Sequence, residues 1–162
     1  MKNIVFPLVF FFVTSLSLNA QSIDDVSEDA IDSLEIKLNW MPNYKEALKK
    51  SKKEKKPILI YFKGSDWCGP CIVLDKKLFK TEKFKTLSEE SLVLLEVDIP
   101  MRLDLLSPKK MKSNKALQKK YRVESFPTLM MVNHRGKKIA EKTGYIMTEY
   151  YYPFFQSIIS KY

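Results

Sequence analysis

Pro57-Ile58-Leu59-Ile60-Tyr61-Phe62, followed a few residues later by Trp67-Cys68-Gly69-Pro70-Cys71, is the stretch around which the 162-residue chain is organised. The first six residues are continuously apolar, as in a strand buried on both faces. After Cys71, Ile72, Leu74, Leu78 and Phe79 supply an apolar surface for a helix from about Cys68 to Lys80. The order reads strand, short turn, helix, with Cys68 near the helix N-terminus. Positions i and i+3 share a helix face, so the sulfurs of the only two cysteines can meet and form a disulfide. The first turn of a helix has unpaired N–H groups and a partial positive charge, and both favour a thiolate. The thiolate is the nucleophile in disulfide exchange. Pro70 fits this turn because its missing N–H costs nothing there. Gly69 lets another chain approach, and Trp67 is an apolar lid beside the sulfurs. A purely structural staple over so short a loop would stabilise little. A zinc site usually needs four ligands, whereas these cysteines and His134 are all the sequence offers. Redox chemistry is the reading that remains, and no metal is expected.

The ends and composition bound the rest. Hydrophobic residues are 45% of the chain, enough for one domain. Residues 1–20 pair Lys2 with an apolar run from Ile4 to Leu18 and close on Leu18-Asn19-Ala20. They read as a signal peptide cleaved after Ala20, too short for an ordinary spanning helix. Residues 21–39 are polar and acidic and read as a flexible lead-in to a domain at 40–162. Export places the cysteine pair in an oxidising compartment, periplasmic or extracellular, so a reduced form needs an electron donor. The formal net charge is +9, falling to +8 without the leader. It is concentrated in lysines from Lys49 to Lys56 and Lys109 to Lys120, which read as solvated helix faces. Nucleic acid is not an expected partner for an exported chain.

Along the chain, residues 43–54 are expected as a surface helix, and Thr81 as the cap of a short helix at 82–88. Leu92-Val93-Leu94-Leu95-Glu96-Val97 reads as a second buried strand. Residues 99–112 read as a long loop, either a binding loop or an insertion. A helix is expected over Asn114–Tyr121 with Ala116 and Leu117 inward. Strands 128–133 and 138–143 form a hairpin around His134-Arg135-Gly136-Lys137, where Gly136 tolerates positive φ. A last helix, irregular before Pro153, closes the domain. Two strands joined through a helix call for a right-handed crossover and a parallel pair. The expected architecture is α/β: a mixed sheet of about four strands with helices on both faces.

Trp67-Cys68-Gly69-Pro70-Cys71 resembles the active-site motif of thioredoxin, and Phe126-Pro127-Thr128 resembles the loop of that fold whose proline is cis. The run Phe62-Lys63-Gly64-Ser65-Asp66-Trp67-Cys68 is similar to secreted bacterial thioredoxin-like proteins of disulfide-exchange systems. The resemblance covers about residues 40–160 and implies a thioredoxin-like fold. It also implies Cys68 as nucleophile, Cys71 as resolving thiol, and Pro127 cis beside them. The backbone of Phe126 is then open to an extended substrate by strand addition, with Thr128 as a further substrate-binding residue. Thioredoxin carries a buried aspartate on the strand before the motif that helps deprotonate the second cysteine. Tyr61 or its neighbour occupies that stretch here, leaving Glu96 as a candidate proton acceptor, with Lys63 acting as an alternative or through its charge. Asp66 reads as a solvated turn residue. The methionines are scattered and read as packing.

The expected function is an exported thiol–disulfide oxidoreductase that reduces protein or peptide disulfides. A membrane-bound thiol reductase would recharge it, and no organic cofactor is needed because the thiols carry the electrons. Two rivals stay open: a disulfide oxidase or isomerase, since the sequence does not set direction, and a redox-inert binding module of the same fold.

Overall fold

The computed structural model describes residues 36–162. The leader expected at 1–20 and the acidic stretch 21–35 lie outside the described residues. Residues 36–39 are less loose than a lead-in: Leu38 packs against the core, and its carbonyl accepts from the Trp40 N–H at 3.0 Å.

Strand β1 (Ile58–Lys63) lies at the centre of a four-stranded sheet. It pairs in parallel with β2 (Val93–Asp98) and antiparallel with β3 (Thr128–Val132). β3 continues as a hairpin into β4 (Lys138–Thr143), giving the order β2-β1-β3-β4. Gly136 turns the hairpin at φ +75°, and a Cβ there would run into the Tyr44 hydroxyl. Among the described residues five α-helices pack around the sheet: α1 (Tyr44–Glu54), α2 (Gly69–Leu74), α3 (Glu82–Ser91), α4 (Pro108–Tyr121) and α5 (Tyr151–Ile159).

The alternation of β1 divides the core in two. Leu59 and Tyr61 point to a cluster with Cys68, Cys71, Leu74, Phe84 and Phe155, so α2, α3 and α5 cover that face. Ile58, Ile60 and Phe62 point to a cluster with Ala47 and Tyr121, so α1 and α4 cover the other. β1 is buried from Ile58 to Phe62 because both its faces are covered. This is the mixed α/β sheet that the sequence pattern implies.

Several local expectations are corrected. The segment after Cys68 is not one regular helix: α2 gives way to a π-helical turn over Asp75–Phe79, closed by the Lys80 N–H on the Asp75 carbonyl at 2.8 Å. The wider turn lets Leu74, Leu78 and Phe79 all face the core, while Ile72, expected inward, is exposed. Helix α4 begins at Pro108, six residues earlier than expected, because Ser107 caps it through the Lys110 N–H and Pro108 tolerates the first turn. The loop is therefore 99–107. Asn114 is buried within α4, its Nδ2 donating to the Asp98 carbonyl at 2.8 Å, and Ala116 is exposed. The irregular start of the last helix is present as a single 3-10 turn over Thr148–Tyr150.

Candidate active site

Cys68 ends the turn after β1 and caps α2. Its N–H donates to the Gly64 carbonyl at 2.9 Å, and its carbonyl accepts from the Cys71 and Ile72 amides. The Cys68 Sγ itself accepts from the Cys71 N–H at 3.3 Å, and the two cysteines are joined as a disulfide. Pro70 sits in the first turn of α2, and Gly69 faces open space. The helix backbone thus aims the Cys71 N–H at the first sulfur, and both cysteines are buried, Cys68 at 3% and Cys71 at 0% exposure.

One wall of the site is aromatic. Trp67 packs edge to face on Phe126, ring centroids 5.5 Å apart, and its Nε1 donates to the Ile99 carbonyl at 2.9 Å. Gly64 makes this possible, since a Cβ there would overlap the indole. The sequence reading did not single out Gly64. The Phe126–Pro127 peptide is cis. Thr128 follows at the start of β3, buried, with its Oγ1 donating to the Ser125 carbonyl at 2.8 Å and lying 3.3 Å from Thr143 Oγ1. The structure therefore brings Trp67 and Phe126 together directly, with Pro127 and Thr128 continuing from Phe126.

Below the disulfide lies a charged cluster. The β1–β2 register sets Tyr61 opposite Glu96, and Tyr61, Lys63 and Glu96 share the sheet face that α2 covers. Lys63 Nζ bridges Glu96 at 3.0 Å and Asp75 at 3.2 Å. Glu96 is on the edge strand with its side chain 34% exposed, so it is not a buried acid, and its partner is Lys63. Burial alone would lower the Lys63 pKa; the Glu96 and Asp75 carboxylates outweigh it and hold the ammonium above its ordinary value. The Tyr61 hydroxyl donates to the Cys71 carbonyl at 3.2 Å. Burial, and then the Asp75 carboxylate, push the Tyr61 phenol far up, so it stays a neutral donor. Asp75 was missed in the sequence. Its signal is its place four residues after Cys71, on the same helix face. A cavity of about 150 Å³, lined by Trp40, Lys63, Asp75, Phe79 and Glu96 among others, opens this cluster to solvent.

Asp66 is solvated as expected, but it also has a structural partner. Its carboxylate accepts the N–H groups of Met101 at 3.0 Å and Arg102 at 2.8 Å, which hold its pKa below the ordinary aspartate value. His134 lies in the hairpin turn against Tyr162, in a part of the chain separate from the cysteine pair.

Comparison with known proteins gives a consistent picture. The profile of a family described as thioredoxin-like domain matches residues 44–158. A Chlamydia pneumoniae protein described as disulfide bond reductase DsbH is 36% identical over 103 residues, covering 64% of this chain and 61% of that protein. The chain thus spans less than two thirds of that relative. A solved structure named DsbH oxidoreductase superposes with a TM-score of 0.70 at 28% identity, covering 86% of this chain and 94% of the other. A thioredoxin from Thermus thermophilus superposes at 0.61 with 20% identity, over 78% of this chain and 90% of the other, a likeness of fold.

Proposed function

Because the chain belongs to the thioredoxin-like domain family, we propose that it is an exported thiol–disulfide oxidoreductase that reduces protein or peptide disulfides through Cys68 and Cys71. The observation that carries this reading is the disulfide itself, set at the N-terminal end of α2 directly after Trp67, whose ring packs on Phe126 of the cis Phe126–Pro127 peptide. The reductive direction rests on the relative described as a disulfide bond reductase. Export, periplasmic by preference, rests on the sequence of residues 1–20.

In the reduced protein the Cys68 thiolate attacks one sulfur of the substrate disulfide. An S–S bond forms between Cys68 and the substrate, and the second substrate sulfur leaves as a thiolate that takes up a proton. Cys71 then loses its proton and attacks Cys68 Sγ. The mixed disulfide breaks, the remaining substrate sulfur leaves as a thiol, and the Cys68–Cys71 disulfide is left behind. Two electrons have passed to the substrate, and a dithiol reductase, membrane-bound in the expected system, returns them.

The aromatic wall and the backbone at Phe126 hold the substrate chain in extended form beside Cys68, while Gly69 leaves room for it; Thr128, expected to share this role, is instead buried and already paired with Phe62 and Thr143 on its two sides. Tyr61 fixes the Cys71 carbonyl. Asp75, four residues after Cys71 and bridged to Glu96 by Lys63, takes the place of the aspartate that thioredoxin carries on the strand before the motif as acceptor of the Cys71 proton. In a Cys71→Ser variant the first step proceeds and the second does not. Full-length Cys71→Ser protein should therefore accumulate mixed disulfides through Cys68 that reductant releases. No adducts, together with no alkylation of Cys68 after mild reduction, would instead identify a redox-inert module.

A further inference from the structure

The 99–107 loop is longer than the usual connection and unusually apolar. Met101 and Leu103 are 71% and 79% exposed, and Leu105 is 43% exposed. Single exposed apolar residues are ordinary on a protein surface, whereas several together mark an interaction site. Beyond them, Leu103, Leu106, Pro108, Met111, Lys112 and Lys115 line an open cleft of about 430 Å³ whose accessible lining is mostly apolar. Its two polar members are both lysines, and both are exposed.

This loop is tied to the cysteine motif rather than free beside it. The Asp66 carboxylate takes two successive loop amides, Met101 and Arg102, and Trp67 Nε1 takes the Ile99 carbonyl. Asp98, where β2 runs into the loop, accepts the Ser65 N–H on its Oδ1 and the Asn114 amide on its carbonyl. The turn leading into Cys68, the loop and the first half of α4 are therefore joined by hydrogen bonds. Half-exposed Trp67, the exposed loop residues Met101 and Leu103, and the lysine-rimmed cleft thus lie on one hydrogen-bonded unit.

We propose that this surface is the docking site for a partner protein's chain next to its reacting cysteine: an extended segment carrying leucine-type apolar residues and acidic residues. The proposal rests on the disulfide-exchange reading above and specifies its substrate. Charge complementarity selects the acidic side chains, which meet Lys112 and Lys115 while the apolar ones cover Met101, Leu103 and Leu106. The hydrogen bonds that join Asp66 and Trp67 to the loop select the position. A segment whose cysteine is at Cys68 gains roughly 3.3 Å per residue as it extends toward the loop.

The test uses the full chain and two synthetic peptides, one with a Leu/Glu arm and one with a Leu/Lys arm. Each is prepared with a disulfide-linked cysteine for kinetics, and as a cysteine-free labelled version for binding by fluorescence anisotropy. A small aromatic disulfide is the third substrate. The Leu/Glu arm should bind about tenfold more tightly than the Leu/Lys arm and show a matching rise in kcat/KM. Leu103→Ser/Leu106→Ser should weaken both arms roughly tenfold. Lys112→Glu/Lys115→Glu should reverse the preference between arms. Reduction of the small disulfide should be unchanged in all variants. Equal binding of both arms to the wild type would overturn the proposal. So would preferential binding to anionic phosphatidylglycerol vesicles without discrimination between arms, or self-association that the leucine variants abolish. If the small disulfide is not reduced at all, the redox reading fails, and the anisotropy result still decides the docking surface.

Discussion

Replacing Lys63 by methionine keeps the aliphatic stem and removes the ammonium that bridges two carboxylates. In the wild type Nζ lies 3.0 Å from Glu96 and 3.2 Å from Asp75, with the lysine side chain 13% exposed and the acids 34% and 27% exposed. Fully exposed pairs contribute about 0–1 kcal/mol, and breaking a buried one costs about 3–5 kcal/mol. This cluster lies between those limits, so Lys63→Met should cost roughly 2 kcal/mol and lower Tm by about 5–10 °C. The pH dependence separates this from a loss of packing. The folded-state Lys63 pKa is raised, so its contribution is complete below the unfolded value near 10.5 and is lost as pH rises through the folded one. Wild type and variant should therefore converge in strong alkali. In the variant the Asp75 and Glu96 carboxylates are left without the ammonium between them. The assay is thermal unfolding of oxidised wild type, Lys63→Met and Lys63→Met/Glu96→Gln at pH 7, 9 and about 12. The double variant should recover part of the deficit at pH 7. A constant deficit at every pH, or no recovery in the double variant, would refute an electrostatic role for Lys63.

Gly64→Ala should push the Trp67 indole off its seat and break its bond to Ile99, costing about 1–3 kcal/mol; unchanged Trp fluorescence and Tm would count against the contact. Asp66→Asn turns one of two acceptor oxygens into a donor, so the Met101 or Arg102 amide should exchange faster with deuterium. Since the Asp66 pKa is depressed, in wild type the clamp should hold above the ordinary aspartate value and release as pH falls through the depressed one. Equal protection in variant and wild type at all pH values would show that the loop does not depend on Asp66. In reduced protein iodoacetamide should alkylate Cys68 first, with a rate that titrates below the free-thiol value of roughly 8.5; preferential labelling of Cys71 would reverse the assigned roles.

Local chemistry made much of this legible beforehand. The apolar run before the motif is β1, and Lys138–Thr143 is β4 as expected. Pro153 signalled the irregular entry into α5. The early start of α4 was missed because Lys109, Lys110 and Lys112 hide its apolar period, although Ser107-Pro108 is itself a cap signature. The π-helical turn leaves no local mark, being set by the need to bury Leu78 and Phe79 together. The partnership of Lys63 with Glu96 and Asp75 depends on strand register and helix placement across 33 residues of sequence. The link from Asp66 to Met101 and Arg102 spans as much.

The two margins of the sheet bear on how the protein behaves in a crowded compartment. Trp40 bridges to Leu94, and the Met41 N–H donates to the Leu94 carbonyl, so part of the outer side of β2 is already occupied. At the other margin β4 presents Lys138, Glu141 and Lys142, and its pairing with β3 is interrupted by a bulge at Met131/Val132. Charge and irregularity of this kind discourage a second molecule from adding its own strand. The protein therefore runs less risk of polymerising through its own sheet, and accumulation at high concentration should not by itself seed fibrils.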